Sequence, residues 1–271
     1  MALPIASLQN PRVKFAVKLR QRSHRDDATL MLIEGYREIK RALDNTHPIG
    51  EFYTCRALFQ GSNEDALIAQ AVAQGAEHFE CTEAVFRKMA YRDRPEGLLA
   101  TAHHLTHSLA DLADCPTPLV VVAEAIEKPG NLGTILRSAD AAGADAVLVC
   151  DRCTDLHNPN VVRASIGILF ALPVIEVSSA EAIAWLRARD IQIVATTPHT
   201  DLIYTEADLT KGTALVMGTE QVGLTSIWLE AADIQVRIPM LGQADSLNVA
   251  AATTLLLYEA ARQRGFVKSP Q

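Results

Sequence analysis

The chain has 271 residues, 49% of them hydrophobic, and a formal net charge of −7. That length favours two domains, since a single core stops growing near ~250–300 residues, and the negative balance argues against nucleic-acid binding over the whole surface. No run of about 18 apolar residues is present and the first residues lack the charged-then-apolar order of a secretion signal, so neither a membrane span nor export is expected and the cytoplasm is.

In chain order, residues 5–22 read as an amphipathic helix, 30–33 as a strand, 36–44 as a helix and 52–55 as a second strand. A helix over 63–74 ends at Gly75. Residues 78–81 form a third strand, Thr82 caps a helix running to Met89, and 97–101 form a fourth strand. Residues 1–104 are therefore expected to be a small α/β domain. Its first 41 residues hold nine basic side chains against four acidic ones, a local +5 that leaves −12 for the rest. Such a segment can steer a polyanion to an acidic protein, or be an ordinary solvated face. Residues 105–118, with Pro116 and Pro118, break all periodicity and read as a linker. His103 and His104 just before it and His107 near its start are taken as surface histidines, and no metal is expected.

Residues 119–271 read as a second α/β domain. Strands are expected at 119–123, 146–150, 173–177, 191–197, 213–218 and 234–238, near-continuously apolar as strands covered on both faces should be. A helix over 131–142 ends at Gly143, and Ser178 with Glu181 forms a capping box for the next. A parallel sheet with helices on both faces follows. The five cysteines are odd in number, and Cys150 and Cys153 make the only C-x-x-C, without a second pair to complete a zinc site. Both are expected to be reduced. There is neither a G-x-G-x-x-G after the first strand nor a P-loop.

Three polar, glycine-bearing loops stand where a strand gives way to a helix: Glu127-Lys-Pro-Gly-Asn-Leu-Gly-Thr-Ile-Leu-Arg137, Met217-Gly-Thr-Glu-Gln-Val-Gly-Leu-Thr225 and Ile238-Pro-Met-Leu-Gly-Gln-Ala-Asp-Ser-Leu-Asn-Val249. In the last, Ser246 suits the N-cap of a helix reaching about Arg264, whose first N–H groups could hold a polar ligand group. Three such loops point to one composite site late in the sheet.

Together these loops resemble the motifs of SPOUT-class RNA methyltransferases of the SpoU/TrmH family, ribose 2′-O-methyltransferases, over about 115–264. Asn158-Pro-Asn-Val-Val-Arg-Ala-Ser-Ile-Gly167 resembles the family's connecting motif. Ser7-Leu-Gln-Asn-Pro-Arg-Val-Lys14 and Leu32-Ile-Glu-Gly-Tyr-Arg37 carry a weaker resemblance to an L30e-like substrate-binding domain. The resemblance implies a trefoil knot in the second domain, S-adenosylmethionine as methyl donor, an RNA substrate and a homodimer. Ribosomal RNA is preferred to transfer RNA because of the fused N-terminal domain. A non-catalytic RNA-binding or ribosome-assembly factor on the same fold is the competing class, and the retained motif residues argue against it.

By the resemblance, Arg137, Asn131, Glu220, Ser246 and Asn248 belong to the catalytic site, Gly218, Ile238 and Leu247 contact the cofactor, and Arg12, Lys14, Lys18, Arg22 and Arg163 contact RNA. An arginine is a poor base, its pKa exceeding about 12. The role expected for Arg137 is therefore to stabilise a developing alkoxide and hold the adjacent phosphate. Read without the resemblance, Arg137 is a solvent-facing helix residue, Asn131 an N-cap, Ser246 and Asn248 caps, and Ile238 and Leu247 plain core. Glu220 is not needed for its turn.

Overall fold

The computed structural model describes residues 2–112, 114–219 and 222–267. Its contacts divide the chain into two compact units, Met1–Leu105 with Asp155–Ala171, and Thr106–Thr154 with Leu172–Gln271. The first crossing falls at the expected linker. Two further crossings arise because Asp155–Ala171, inside the span expected for the second domain, packs with the first unit.

The first unit opens with β1 (Leu3–Ile5), α1 (Pro11–Lys18), α2 (Arg22–Ala28), β2 (Leu30–Glu34), α3 (Tyr36–Asp44) and β3 (Ile49–Thr54), followed by α4 (Glu64–Ala73), β4 (Glu77–Cys81), α5 (Glu83–Met89) and β5 (Leu98–His103). The sheet order is β1-β4-β3-β5-β2. β1 and β3 run parallel to β4, while β5 lies antiparallel to β2 and β3. The single helix expected over 5–22 is not formed. Pro11 takes the first helical position, where its missing N–H is no loss, and the Asn10 side chain caps it by accepting from Arg12 N at 2.9 Å. Residues upstream instead pair with β4, Leu3 opposite Phe79.

The helix also breaks after Lys18, and the restart at Arg22 turns Arg25 inward. Arg25 is 1% exposed. Its Nε donates to Asp155 Oδ2 at 3.0 Å and its Nη1 to the Leu19 carbonyl at 2.8 Å. Burial alone would raise the Asp155 carboxyl, but the Arg25 hydrogen bonds and charge outweigh it and hold the group below the usual carboxylate range. His157 stacks on His104 at 3.8 Å between ring centroids, and its Nε2 accepts from Leu105 N at 3.1 Å. These contacts fasten Asp155–Ala171 to the first unit.

The second unit contains β6 (Leu119–Glu124), α6 (Pro129–Ala141) and β7 (Ala146–Cys150). The chain then passes through α7 (Pro159–Ala164) in the first unit and returns as β8 (Val174–Val177), α8 (Ser179–Ala188), β9 (Gln192–Thr196), β10 (Thr213–Met217), α9 (Ser226–Ala231), β11 (Ile234–Val236) and α10 (Val249–Gln263). Six strands lie in the order β11-β9-β10-β6-β7-β8, every neighbouring pair parallel. β6, β7 and β10 are buried along their whole length, as the apolar runs require. The Ser178–Glu181 capping box forms. Cys150 and Cys153 are free, the first buried and the second exposed, and burial pushes the Cys150 thiol up. No described helix is long and apolar enough to cross a membrane, and no group of described side chains could hold a metal ion. Because the strands are parallel, their carboxyl ends share one edge, where ligands bind in open α/β sheets.

Candidate functional site

A cavity of about 320 Å3 opens on that edge of the second unit, at the lower end of the roughly 300–1,000 Å3 of ligand sites. Thr196 and Thr197 at the end of β9, Met217 and Gly218 at the end of β10, and the loop after β11 form its walls. The lining is mainly apolar, with Leu224, Leu229, Ile238, Met240, Leu247 and Val249 contributing. His199 and Asp245 are its only titratable side chains among the described residues. A ligand here would be held by shape and main-chain groups more than by charge.

Gly218 is required by close approach. A Cβ at this position would lie 2.4 Å from the carbonyl carbon and oxygen of Gly223. The loop closes on itself where Thr219 N donates to the Gly223 carbonyl at 3.2 Å and Gly223 N returns a bond to the Thr219 carbonyl at 3.1 Å. Beyond the turn the chain is anchored by Glu124, the last residue of β6, which is 1% exposed. Its carboxylate accepts from Thr225 N at 3.0 Å and from the Thr225 hydroxyl. A buried carboxylate with two donors on one residue fixes where the loop lands. Sequence reasoning missed Glu124 because it closes an apolar strand. Its position at the carboxyl end of a buried parallel strand was the available signal.

The three expected cofactor residues, Gly218, Ile238 and Leu247, come together on this cavity, and so does Ser246. Ser246 does not cap the following helix. Asn248 does, its side chain accepting from Ala250 N at 3.1 Å, and α10 starts two residues later than expected. Helix α6 starts two residues earlier than expected, with Pro129 at its first position and Lys128 as N-cap, so Asn131 lies within the first turn and is not a cap. Asn131 Oδ1 accepts from Asn248 Nδ2 at 3.1 Å. Farther along, Ser138 and Thr254 hydroxyls meet at 2.7 Å, joining α6 to α10. The first and third loops are thus tied together. Arg137 stands apart. Six residues beyond Asn131, it lies about 240° round the helix; it is exposed and its guanidinium makes no hydrogen bond or ion pair with another described residue. Glu220 lies outside the described residues.

In the first unit, the basic residues of the N-terminal segment differ in their freedom. Arg12 pairs with Glu51 and, at 3.1 Å, with Glu77, and its guanidinium lies 4.5 Å above the Phe79 ring. Arg22 pairs with Asp26 at 3.4 Å. Lys14 and Lys18 are exposed on α1. Arg163, on α7, is exposed and lines a separate cleft of the first unit, about 950 Å3 in volume, with Arg37, Arg92 and Arg94.

Residues 118–258 match the model of the SpoU rRNA Methylase family, and residues 10–100 that of an MRM3-like substrate binding domain. The 23S rRNA (guanosine(2553)-2'-O)-methyltransferase RlmP of Bacillus subtilis is 29% identical over 254 residues, covering 94% of this chain and 97% of its own. A crystal structure of an RNA 2'-O ribose methyltransferase is 44% identical, with a TM-score of 0.84 over 97% of this chain and 99% of the other. The AdoMet-bound rRNA methyltransferase from Sinorhizobium meliloti is 34% identical, with a TM-score of 0.88 over 96% and 98% of the two chains.

Proposed function

Because the chain belongs to the SpoU rRNA methylase family, we propose that it is an S-adenosylmethionine-dependent methyltransferase acting on a ribose 2′-hydroxyl of 23S ribosomal RNA. The observation that carries this reading is the cavity at the strand ends, which gathers Gly218, Ile238 and Leu247 from two separate loops. At Gly218 the Gly223 backbone fills the place a side chain would take, which holds the loop in the shape that walls the cavity. S-adenosylmethionine, when bound, supplies an already activated methyl group. What remains for the protein is to align the hydroxyl and help it lose its proton.

Main-chain groups near Gly218, Ile238 and Leu247 would hold the donor, with Ser246 at the mouth. Asn131 and Asn248, bonded to each other, would orient the ribose, and Glu220 would act with them. Arg137 would hold the phosphate next to the reacting ribose and stabilise the alkoxide as it forms. Its exposure and lack of a described partner leave the guanidinium available for that contact. Arg12, Lys14, Lys18, Arg22 and Arg163 would add phosphate contacts. A homodimer fits the same reading, since α10 exposes Leu255 and Tyr258 at 40% and 45%. A ribosomal RNA substrate implies the cytoplasm.

The test is methyl transfer from labelled S-adenosylmethionine to unmodified 23S rRNA, with mapping of the modified ribose, beside calorimetry of cofactor binding. The wild-type chain should bind cofactor and methylate a ribose hydroxyl; failure to transfer methyl to ribose would overturn the reading. In Arg137→Ala, single-turnover transfer should fall about 100-fold or more, comparable to removing one stabiliser of a developing oxyanion. Melting and cofactor affinity should hold. Arg137→Lys should recover little, because a point charge does not replace the planar fork. A folded alanine variant with near wild-type transfer would remove Arg137 from the mechanism.

A further inference from the structure

We propose that the cleft of the first unit rimmed by Arg37, Arg94 and Arg163 binds the sugar–phosphate backbone of a single-stranded RNA segment. The inference rests on the reading of the chain as an enzyme acting on RNA, and it shifts the main RNA contact away from the basic face of α1.

The cleft is built from four separated stretches: the start of α3, the loop before α4, the loop before β5, and α7 with the turn after it. Four arginines and four acidic residues line it, so its formal charge cancels. The arrangement does not. Three of the acids are already engaged by other groups of the protein. Arg92 donates to Glu38 and to Glu96, both at 2.6 Å, and to the Glu34 carbonyl at 3.0 Å. Glu64 accepts from Gln60 N at 3.1 Å and Gly61 N at 2.7 Å, folding its carboxylate into its own loop. The Arg92–Glu38 pair passes so close to Gly35 that a Cβ there would lie 2.6 Å from an atom of each, and Gly35 has φ +109°. Only glycine leaves the pair in place.

What faces outward is different. Arg37, Arg94 and Arg163 are exposed, and none of their guanidinium groups is hydrogen-bonded or ion-paired to a described residue. Asp93 is the single exposed acid on the wall, so the rim carries three guanidinium groups against one carboxylate. Guanidinium forks match phosphate oxygens two at a time. Between them stand the exposed amides of Gln60 and Asn63 and the partly buried ring of Tyr36. Amides read base edges and an aromatic ring accepts a stacked base, but only where bases are unpaired. On α1 and α2, by contrast, Arg12 and Arg22 are already paired with carboxylates and Arg25 is buried.

The test uses the full chain, a labelled 12-nucleotide RNA of mixed sequence, and fluorescence anisotropy across a salt series. Each phosphate contact on a single strand adds about 0.7 to the salt slope, or roughly fivefold in affinity at 0.1 M salt. The Arg37→Ala/Arg94→Ala/Arg163→Ala variant should therefore lose on the order of 100-fold, with its slope lower by about 2. The single charge reversal Arg94→Glu should weaken binding at least as much as Arg94→Ala. Lys14→Ala/Lys18→Ala should lose far less. Cofactor binding and melting should match wild type in the triple variant. A triple variant with wild-type affinity and slope overturns the proposal, as does a wild-type chain that does not bind this RNA. A 12-residue polyglutamate that competes as well as RNA also overturns it, because the cleft would then be a general anion or protein-docking surface. Methyl transfer by the wild-type chain is measured separately, so failure of the enzymatic reading is distinguishable from failure of the cleft.

Discussion

In the first unit Arg25, Glu34, Glu38, Glu64 and Asp155 are buried; in the second, among the described residues, the buried charged side chains are Glu124 and Glu259. Their concave surfaces differ in the same sense. The first unit's cleft is wide and rimmed by arginines. The second unit's cavity is about a third of that volume and apolar. Charge in the first unit positions segments drawn from distant parts of the sequence, because paired groups must meet in one geometry to offset their desolvation. The cavity in the second unit follows from where parallel strands end, and backbone shape alone can define it.

The comparison is broken most severely at Arg25. Arg25→Ala strands the buried Asp155 carboxylate and should cost about 3–5 kcal/mol, read as a lower melting temperature. Asp155 is held below its usual pKa in the fold, so its stabilisation is present above the ordinary value of about 4 and lost as pH falls through the folded value. The gap between wild type and variant should therefore narrow below about pH 4. An equal gap at pH 3.5 and pH 7 would mean that the ion pair is not its cause.

A smaller effect sharpens the other half of the contrast. Gly218→Ala forces a methyl group onto the Gly223 backbone, and overpacking of this kind costs about 1–3 kcal/mol. Cofactor affinity should drop by about 30-fold while RNA affinity stays put. An unchanged cofactor affinity would move the donor site away from this loop. Smallest is Glu124→Gln. The amide oxygen can keep accepting from Thr225 N while its NH2 turns to the hydroxyl, and the charge-assisted strength of both contacts is lost, a difference of about 1 kcal/mol. Calorimetry should show cofactor affinity lower by about fivefold, with Thr225→Ala giving a similar loss and the double variant little more. Additive losses would separate the two residues.

Sequence patterning revealed the second unit more fully than the first. Every expected strand there is present within two residues, since a strand covered on both faces leaves an apolar run that local reading detects. Gly218, Ile238 and Leu247 were expected at the cofactor from the resemblance alone, and they meet on one cavity because their loops follow strand ends that share one edge. Helix starts were less visible. Ser246 and Asn248 are both good caps by composition, and only the backbone shows that Asn248 takes the position. The arginine rim was largely hidden. Arg37, Arg94 and Arg163 are far apart in sequence; the resemblance pointed to Arg163 alone, and Arg37 and Arg94 each read as an ordinary solvated cation. Nor does patterning distinguish the engaged Arg12 from the exposed Lys14, because the acids that engage Arg12 lie on β3 and β4.

The excursion of Asp155–Ala171 into the first unit bears on how the protein is made. Translation delivers the chain from the N-terminus, and domains ordinarily fold as they emerge. Here the partner of Arg25 and the apolar side chains Val161, Val162, Leu169 and Phe170, all buried, arrive only after β6 and β7 have been synthesised. The first unit must wait, incomplete, for a piece encoded within its neighbour. A nascent chain stalled at residue 150 should therefore be more sensitive to protease across residues 19–30 than one stalled far enough along for residue 171 to have cleared the ribosome.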